Sequence, residues 1–201
     1  MAAMGRMVGL LRAVNVGGRK LPMAELRTLC DGLGWADVVT YIQSGNVVFT
    51  ADCAAGEAEA ALEEAIREAF GFEVPTVVRT AEQWRGYAPA NPFPEAARDT
   101  PNYLLMLLSK RPPAPDAAEA IQARAAAGEL VAQAGDALWI HFPAGSGTSK
   151  LTPSSIDKAI GAPATSRNYR TVVKLQEMLA LCPQPRSSPA NIGSSPSVWS
   201  R

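Results

Sequence analysis

Apolar residues come in short runs along this chain, separated by glycine-rich and polar breaks. Met7 to Val14, rich in Val and Leu, predicts a first strand. Pro22 opens a helical stretch through Leu33, because the first helical turn does not need the N–H that proline lacks. Gly32 and Gly34 end that stretch. Asp37 to Ile42 predicts a second strand. Gln43-Ser44-Gly45-Asn46 is a turn signal leading into a third, Val47 to Thr50. Ala54 to Phe70 is a long Ala- and Glu-rich helix stopped by Gly71, and Val74 to Arg79 predicts a fourth strand. The order β-α-β-β-α-β is that of the ferredoxin-like split pattern. Strand three then runs antiparallel between strands one and two. The loop after strand one, the hairpin between strands two and three, and the loop near Gly71 should emerge at one edge of the sheet.

Thr80 to Tyr87 suggests a short helix. Pro89, Pro92, Pro94 and Pro101 make 88–101 read as a connector. In the second half, Asn102 to Leu108 predicts a buried strand and Asp116 to Ala127 a helix ended by Gly128. Leu130 to Gln133 and Ala137 to Phe142 predict a hairpin about Gly135-Asp136. Pro153 to Ile160 and Asn168 to Leu181 predict two closing helices. The expected architecture is α+β. A ferredoxin-like subdomain spans 1–87, and a smaller α+β subdomain, read as β-α-β-β-α-α, spans 102–182. A Pro- and Ser-rich tail, 183–201, is expected to be disordered or loosely attached.

Composition narrows the partners. Hydrophobic residues make up 47% of the 201, enough for a packed core, and 19 basic residues balance 19 acidic ones. Zero net charge argues against a protein that coats nucleic acid over its whole surface. The charge is uneven, however. Arg6, Arg12, Arg19 and Lys20 leave 1–24 basic, and Lys150, Lys158, Arg167, Arg170 and Lys174 outweigh Asp157 in 145–175. Between them, 51–70 is acidic. Cys30, Cys53 and Cys182 show neither disulfide nor zinc spacing, which fits a reducing cytoplasm. No stretch is long and apolar enough to span a bilayer, and no targeting signal is read. The single histidine, His141, sits in an apolar strand-like run and is read as structural.

The candidate chemistry gathers in the loops. In Asn15-Val16-Gly17-Gly18-Arg19-Lys20, Gly17 and Gly18 let the backbone approach a ligand, and Arg19 and Lys20 add cationic donors. Neither a G-x-G-x-x-G fingerprint nor a phosphate loop is present, and a tight βα turn is the alternative. Arg12, in an apolar strand, should meet a carboxylate, reach the sheet edge or face a ligand. Gln43, Ser44 and Asn46 would add amide and hydroxyl groups beside Asn15. Thr165 or Ser166 can cap the last helix, and Arg167 and Asn168 are candidates to close the same pocket. No metal-ligand cluster and no nucleophile–base pair stands out, so catalytic residues and cofactor are not assigned.

The segments Leu11-Arg12-Ala13-Val14-Asn15-Val16-Gly17-Gly18, Thr40-Tyr41-Ile42-Gln43-Ser44-Gly45-Asn46-Val47-Val48-Phe49, Asn91-Pro92-Phe93 and 165–175 resemble, in order, the motifs of domain of unknown function 1697. This is an uncharacterised bacterial family. The family usually has Trp where Tyr169 stands, and Asn in place of Arg170 and Pro153. The resemblance implies an α+β protein of two subdomains, one of them ferredoxin-like, and no activity. The expectation is a protein binding a small phosphorylated or otherwise anionic ligand at the end of the first sheet. The alternatives are a weak nucleic-acid-binding module using the two basic segments, or an enzyme of unknown reaction. The sequence does not give the oligomeric state.

Overall fold

Short alternating apolar runs build two antiparallel sheets of four strands, and helices cover them. The computed structural model describes residues 4–181; Cys182 and the expected loose tail 183–201 lie outside these. The first half runs β1 (Gly5–Leu11), α1 (Met23–Gly32), β2 (Ala36–Tyr41), β3 (Asn46–Ala51), α2 (Ala55–Phe70), β4 (Thr76–Thr80) and α3 (Ala81–Arg85). After α4 (Pro94–Asp99) come β5 (Leu104–Ser109), α5 (Ala117–Gln122), β6 (Leu130–Ala134), β7 (Ala137–His141), α6 (Pro153–Ile160), β8 (Ala164–Asn168) and α7 (Tyr169–Ala180).

The first sheet has the order β2-β3-β1-β4, with β3 antiparallel to both β1 and β2. Several boundaries differ from expectation. β1 stops at Leu11, because Ala13 (φ 53°) and Asn15 (φ 58°) take left-handed backbone conformations that no strand can continue through. Arg12 therefore lies past the strand end. Pro22 is the residue before α1 rather than inside it. The Pro-rich connector holds α4, with Pro94 at its first turn, where the ring's fixed φ suits a helix.

The largest correction is β8. Residues 164–168 form an edge strand on β5, not a loop before the last helix. The second half is therefore β-α-β-β-α-β-α, and its sheet order β6-β7-β5-β8 repeats that of the first. The register agrees in detail. Val8 faces Arg79 across β1 and β4, and Met106 faces Arg167 across β5 and β8. One residue further on, Thr80 caps α3 and Asn168 caps α7, each side chain accepting a backbone N–H of the first turn. Asn168, not Thr165 or Ser166, is the cap of the last helix. The chain is thus two structural repeats.

Each repeat buries an outer core. Met7, Leu11, Val47 and Phe49 of the first sheet meet Leu26, Leu62 and Ile66 of α1 and α2. Leu107, Leu138 and Ile140 of the second meet Ile121, Ile156 and Ile160 of α5 and α6. A third core joins the repeats, with Val8, Leu10 and Val48 from one sheet and Met106, Leu108 and Trp139 from the other. Trp84 of α3 and Val172, Leu175 and Leu179 of α7 complete it, and the Trp84 indole donates to Val172 O at 3.1 Å.

The edge strands β4 and β8 would leave backbone N–H groups open. Glu59 and Glu63, one turn apart on α2, accept from Val78 N (2.8 Å) and Thr76 N (2.7 Å). Asp157 of α6 does the same for Ala164 N (3.0 Å). Burial pushes the Glu59 carboxyl up, against the pull of the Val78 N–H.

A buried carboxylate also organises the loop before β6. Glu129 accepts the Ala126 and Ala127 N–H groups at 3.0 and 2.7 Å and a hydrogen bond from the Ser149 hydroxyl. The Ser149 hydroxyl first, and then these amides, hold its carboxyl below the usual range. A carboxyl lowered on folding adds stability above its unfolded value, about 4.3, and loses it as pH falls through the folded value. Glu129→Gln should therefore be less stable than the wild type at pH 7. The gap should shrink as urea titrations are taken below pH 4; an unchanged gap would contradict this reading.

Candidate functional site

The three loops at one end of the first sheet do converge. Leu11 N donates to Gly45 O at 2.8 Å, and Arg12 N donates to Pro75 O at 2.9 Å. Asn15 joins the β1–α1 loop to the hairpin, its Nδ2 donating to Gln43 O (2.7 Å) and Leu21 O (3.1 Å) and its Oδ1 accepting from Leu21 N (2.9 Å). That side chain is committed to the loops themselves. The remaining polar residues divide into those the fold consumes and those it leaves exposed.

Asn46 is fully buried; its Nδ2 donates to Tyr41 O (2.9 Å) and to the Ser44 hydroxyl (3.2 Å), and its Oδ1 accepts from Arg167 Nε. Arg167 crosses from the second repeat and is 7% exposed. Its Nη2 donates to Leu11 O (2.9 Å), Gly45 O (3.0 Å) and Ser44 O (3.2 Å), and its Nη1 to Thr165 Oγ1 and Ser166 O. Every N–H direction of the guanidinium fork has an acceptor. Burial pushes the group down to about 10, which leaves it charged at neutral pH. Arg12 Nη2 meets Asp157 Oδ2 at 2.7 Å, one of the three placements open to it from the sequence. Gly17 and Gly18 hold φ of 60° and 88°, and Val16, Arg19, Lys20, Gln43 and Ser44 are exposed around them.

Arg79 occupies in the first repeat the place Arg167 holds in the second, and it reaches the opposite way. Its Nη2 donates to Ser109 O at 2.7 Å, at the end of β5, and its Nε lies 3.1 Å from Asp136 in the β6–β7 turn. The Tyr87 hydroxyl also donates to Asp136, at 3.0 Å. Each repeat thus plugs an arginine into the hairpin end of the other. Two ion pairs follow the same exchange: Arg12 with Asp157, and Lys110 with Glu63 at 2.7 Å.

Other titratable groups are structural in their contacts. His141 Nε2 lies 3.0 Å from Thr100 Oγ1, and burial lowers its pKa. Burial pushes the Cys30 thiol up to about 12, so it carries almost no thiolate at neutral pH. Among the described residues, no three His, Cys, Asp or Glu side chains group to hold a metal, and no helix is long and apolar enough to cross a membrane.

The site that sequence reading missed is a cleft of about 660 Å³ between the repeats. Glu63, Glu64, Arg67 and Glu73 line it from the first repeat, Lys110 and Arg111 from the second, with Pro75 and Pro163 among its apolar lining. No local motif signals it, because its walls come from segments far apart in the chain.

The family model described as "Protein of unknown function (DUF1697)" matches residues 4–139. The chain belongs to this family. Among solved structures, the chain is similar to that described as "The structure of conserved bacterial protein SP0830 from Streptococcus pneumoniae", with a TM-score of 0.64 and 24% identity over 89% of this chain and 99% of that chain. At that identity the likeness is one of fold. A comparison with curated proteins returns no match. The family match ends inside β7, whereas the structural likeness spans most of both repeats of this DUF1697 chain.

Proposed function

We propose that this protein binds a small phosphorylated or otherwise anionic ligand at the loop end of the first sheet, which we read as ferredoxin-like and cytoplasmic. The observation that carries the proposal is the Gly17-Gly18 turn. Among the described residues, none accepts a hydrogen bond from the N–H of either glycine. Unpaired amides in an exposed turn are donors suited to an anion. Arg19 and Lys20 follow it directly and are exposed. Gln43 and Ser44, held alongside through Asn15, supply uncharged polar contacts. Arg12, Asn46 and Arg167 act behind this surface, tying its loops to the second repeat, and Asn168 caps α7. The same pairing weakens the case for a nucleic-acid strip, since Arg12 and Arg167 are spent inside the fold.

A thermal-shift panel of inorganic phosphate, nucleotides and sugar phosphates tests the reading, with Arg19→Ala/Lys20→Ala as the control. A ligand at a hundred times its dissociation constant should add about 2.7 kcal/mol of stability. The double variant should keep the unliganded midpoint and lose the shift. A shift that survives in the variant places the ligand elsewhere, and a flat panel removes the proposal.

A further inference from the structure

The cleft between the repeats has walls of opposite sign. From the first repeat, Glu63, Glu64 and Glu73 outweigh Arg67; from the second come Lys110 and Arg111. Part of this charge is used internally. Lys110 Nζ bridges to Glu63 at 2.7 Å, and Arg67 pairs with Glu64. Two groups remain. Among the described residues, neither the Glu73 carboxylate nor the Arg111 guanidinium has a hydrogen-bond or ion-pair partner, although Glu73 lies within electrostatic reach of Arg67.

The repeats supply an internal control on what the fold itself requires. Leu11 and Ser109 hold the same register, opposite Thr76 and Ala164. Arg12 and Lys110 therefore correspond, and both carry inter-repeat ion pairs. The next residue is Arg111 in one repeat and Ala13 in the other. Glu73 lies in the 71–75 loop between α2 and β4, whereas its counterpart between α6 and β8 is only 161–163, Gly161-Ala162-Pro163, with no charge. Neither free charge is thus a fixture of the repeat. Both stand where the cleft is.

We propose that this cleft binds a short peptide with free termini, its carboxylate at Arg111 and its ammonium at Glu73. The volume is that of pockets holding drug-sized ligands, which a tripeptide matches. Pro75, Ala162 and Pro163 supply apolar contact for a chain laid between the two charges. A purely anionic ligand would meet the carboxylates of the first wall, and a purely cationic one the second wall. This site is separate from the Gly17–Lys20 loop, and its test reads the two apart.

The full-length protein would be titrated with Ala-Xaa-Ala tripeptides, Xaa being alanine, leucine or phenylalanine. Each is used free, N-acetylated, C-amidated and blocked at both ends, with binding followed by calorimetry and by backbone amide chemical shifts. A free peptide should bind saturably, with shifts confined to 63–77, 110–111 and 161–163. Blocking either end should weaken it about two- to fivefold, the worth of one ion pair between exposed groups. Arg111→Ala should lose the penalty for amidation and keep that for acetylation, and Glu73→Gln should do the reverse. Both residues are exposed, so both variants should fold. No saturable binding, equal binding of free and doubly blocked peptides, or shifts confined to Gly17–Lys20 would each overturn the proposal.

Discussion

Replacing Arg167 with methionine should destabilise the protein by about 3–5 kcal/mol, the cost typical of removing one partner from a buried charged network. Methionine fills a similar length but donates nothing. The Leu11 and Ser44 carbonyls and Asn46 Oδ1 would then lose the guanidinium, while Gly45 O keeps the Leu11 N–H. Each such group costs about 1–3 kcal/mol when left bare. Removing a buried cation with neutral partners returns some desolvation energy, which keeps the sum below the total of those penalties. Arg167→Lys should also be unstable, since one ammonium cannot meet acceptors spread around a planar fork. Urea titration of both variants measures this. If Arg167→Met unfolds at the wild-type midpoint, the arginine is not what holds the hairpin end.

The second large effect is at Gly45. Its φ of 77° lies in the left-handed region, and a Cβ there would sit 2.6 Å from Val14 Cγ2 and 2.7 Å from Leu11 Cβ. The left-handed conformation costs a non-glycine residue about 1–2 kcal/mol, and overpacking a filled site costs about 1–3 kcal/mol more. Gly45→Ala should therefore lose about 2–5 kcal/mol. Gly17→Ala is the matched control: φ is 60°, but nothing lies within 4 Å of its added Cβ. It should lose only the conformational part. Equal losses in the two variants would show that packing against β1 plays no role at Gly45.

The end of the first sheet was legible because its logic is local. A β-α-β-β-α-β order sends the β1–α1 loop and the β2–β3 turn to the same edge, and Asn15 does meet Gln43 there. β8 was not legible, since the residues it turns inward include Thr165 and Arg167, which carry no apolar alternation. Arg167 and Asn46 illustrate the main limit on reading the site. A polar residue in a motif looks the same whether it faces a ligand or another part of the chain. Only the fold shows that Arg167 is met by carbonyls from a segment more than a hundred residues away. Arg12 is similar: its need for a carboxylate was readable, but Asp157 as the partner was not. The inter-repeat cleft depends on which chain segments end up opposite each other, and no single segment records that.

The exchanged arginines bear on how this chain can come apart. Each repeat supplies the guanidinium that completes the other's hairpin end, so neither half is self-sufficient, however modular its strand order looks. A nick in the linker at α4 would leave two fragments with matching vacancies, inclined to re-associate rather than to diffuse away as working modules. The same reciprocity makes the single repeat a natural half of a symmetric pair. Joined in one chain, the two repeats bury as interior what would otherwise be an interface between separate copies.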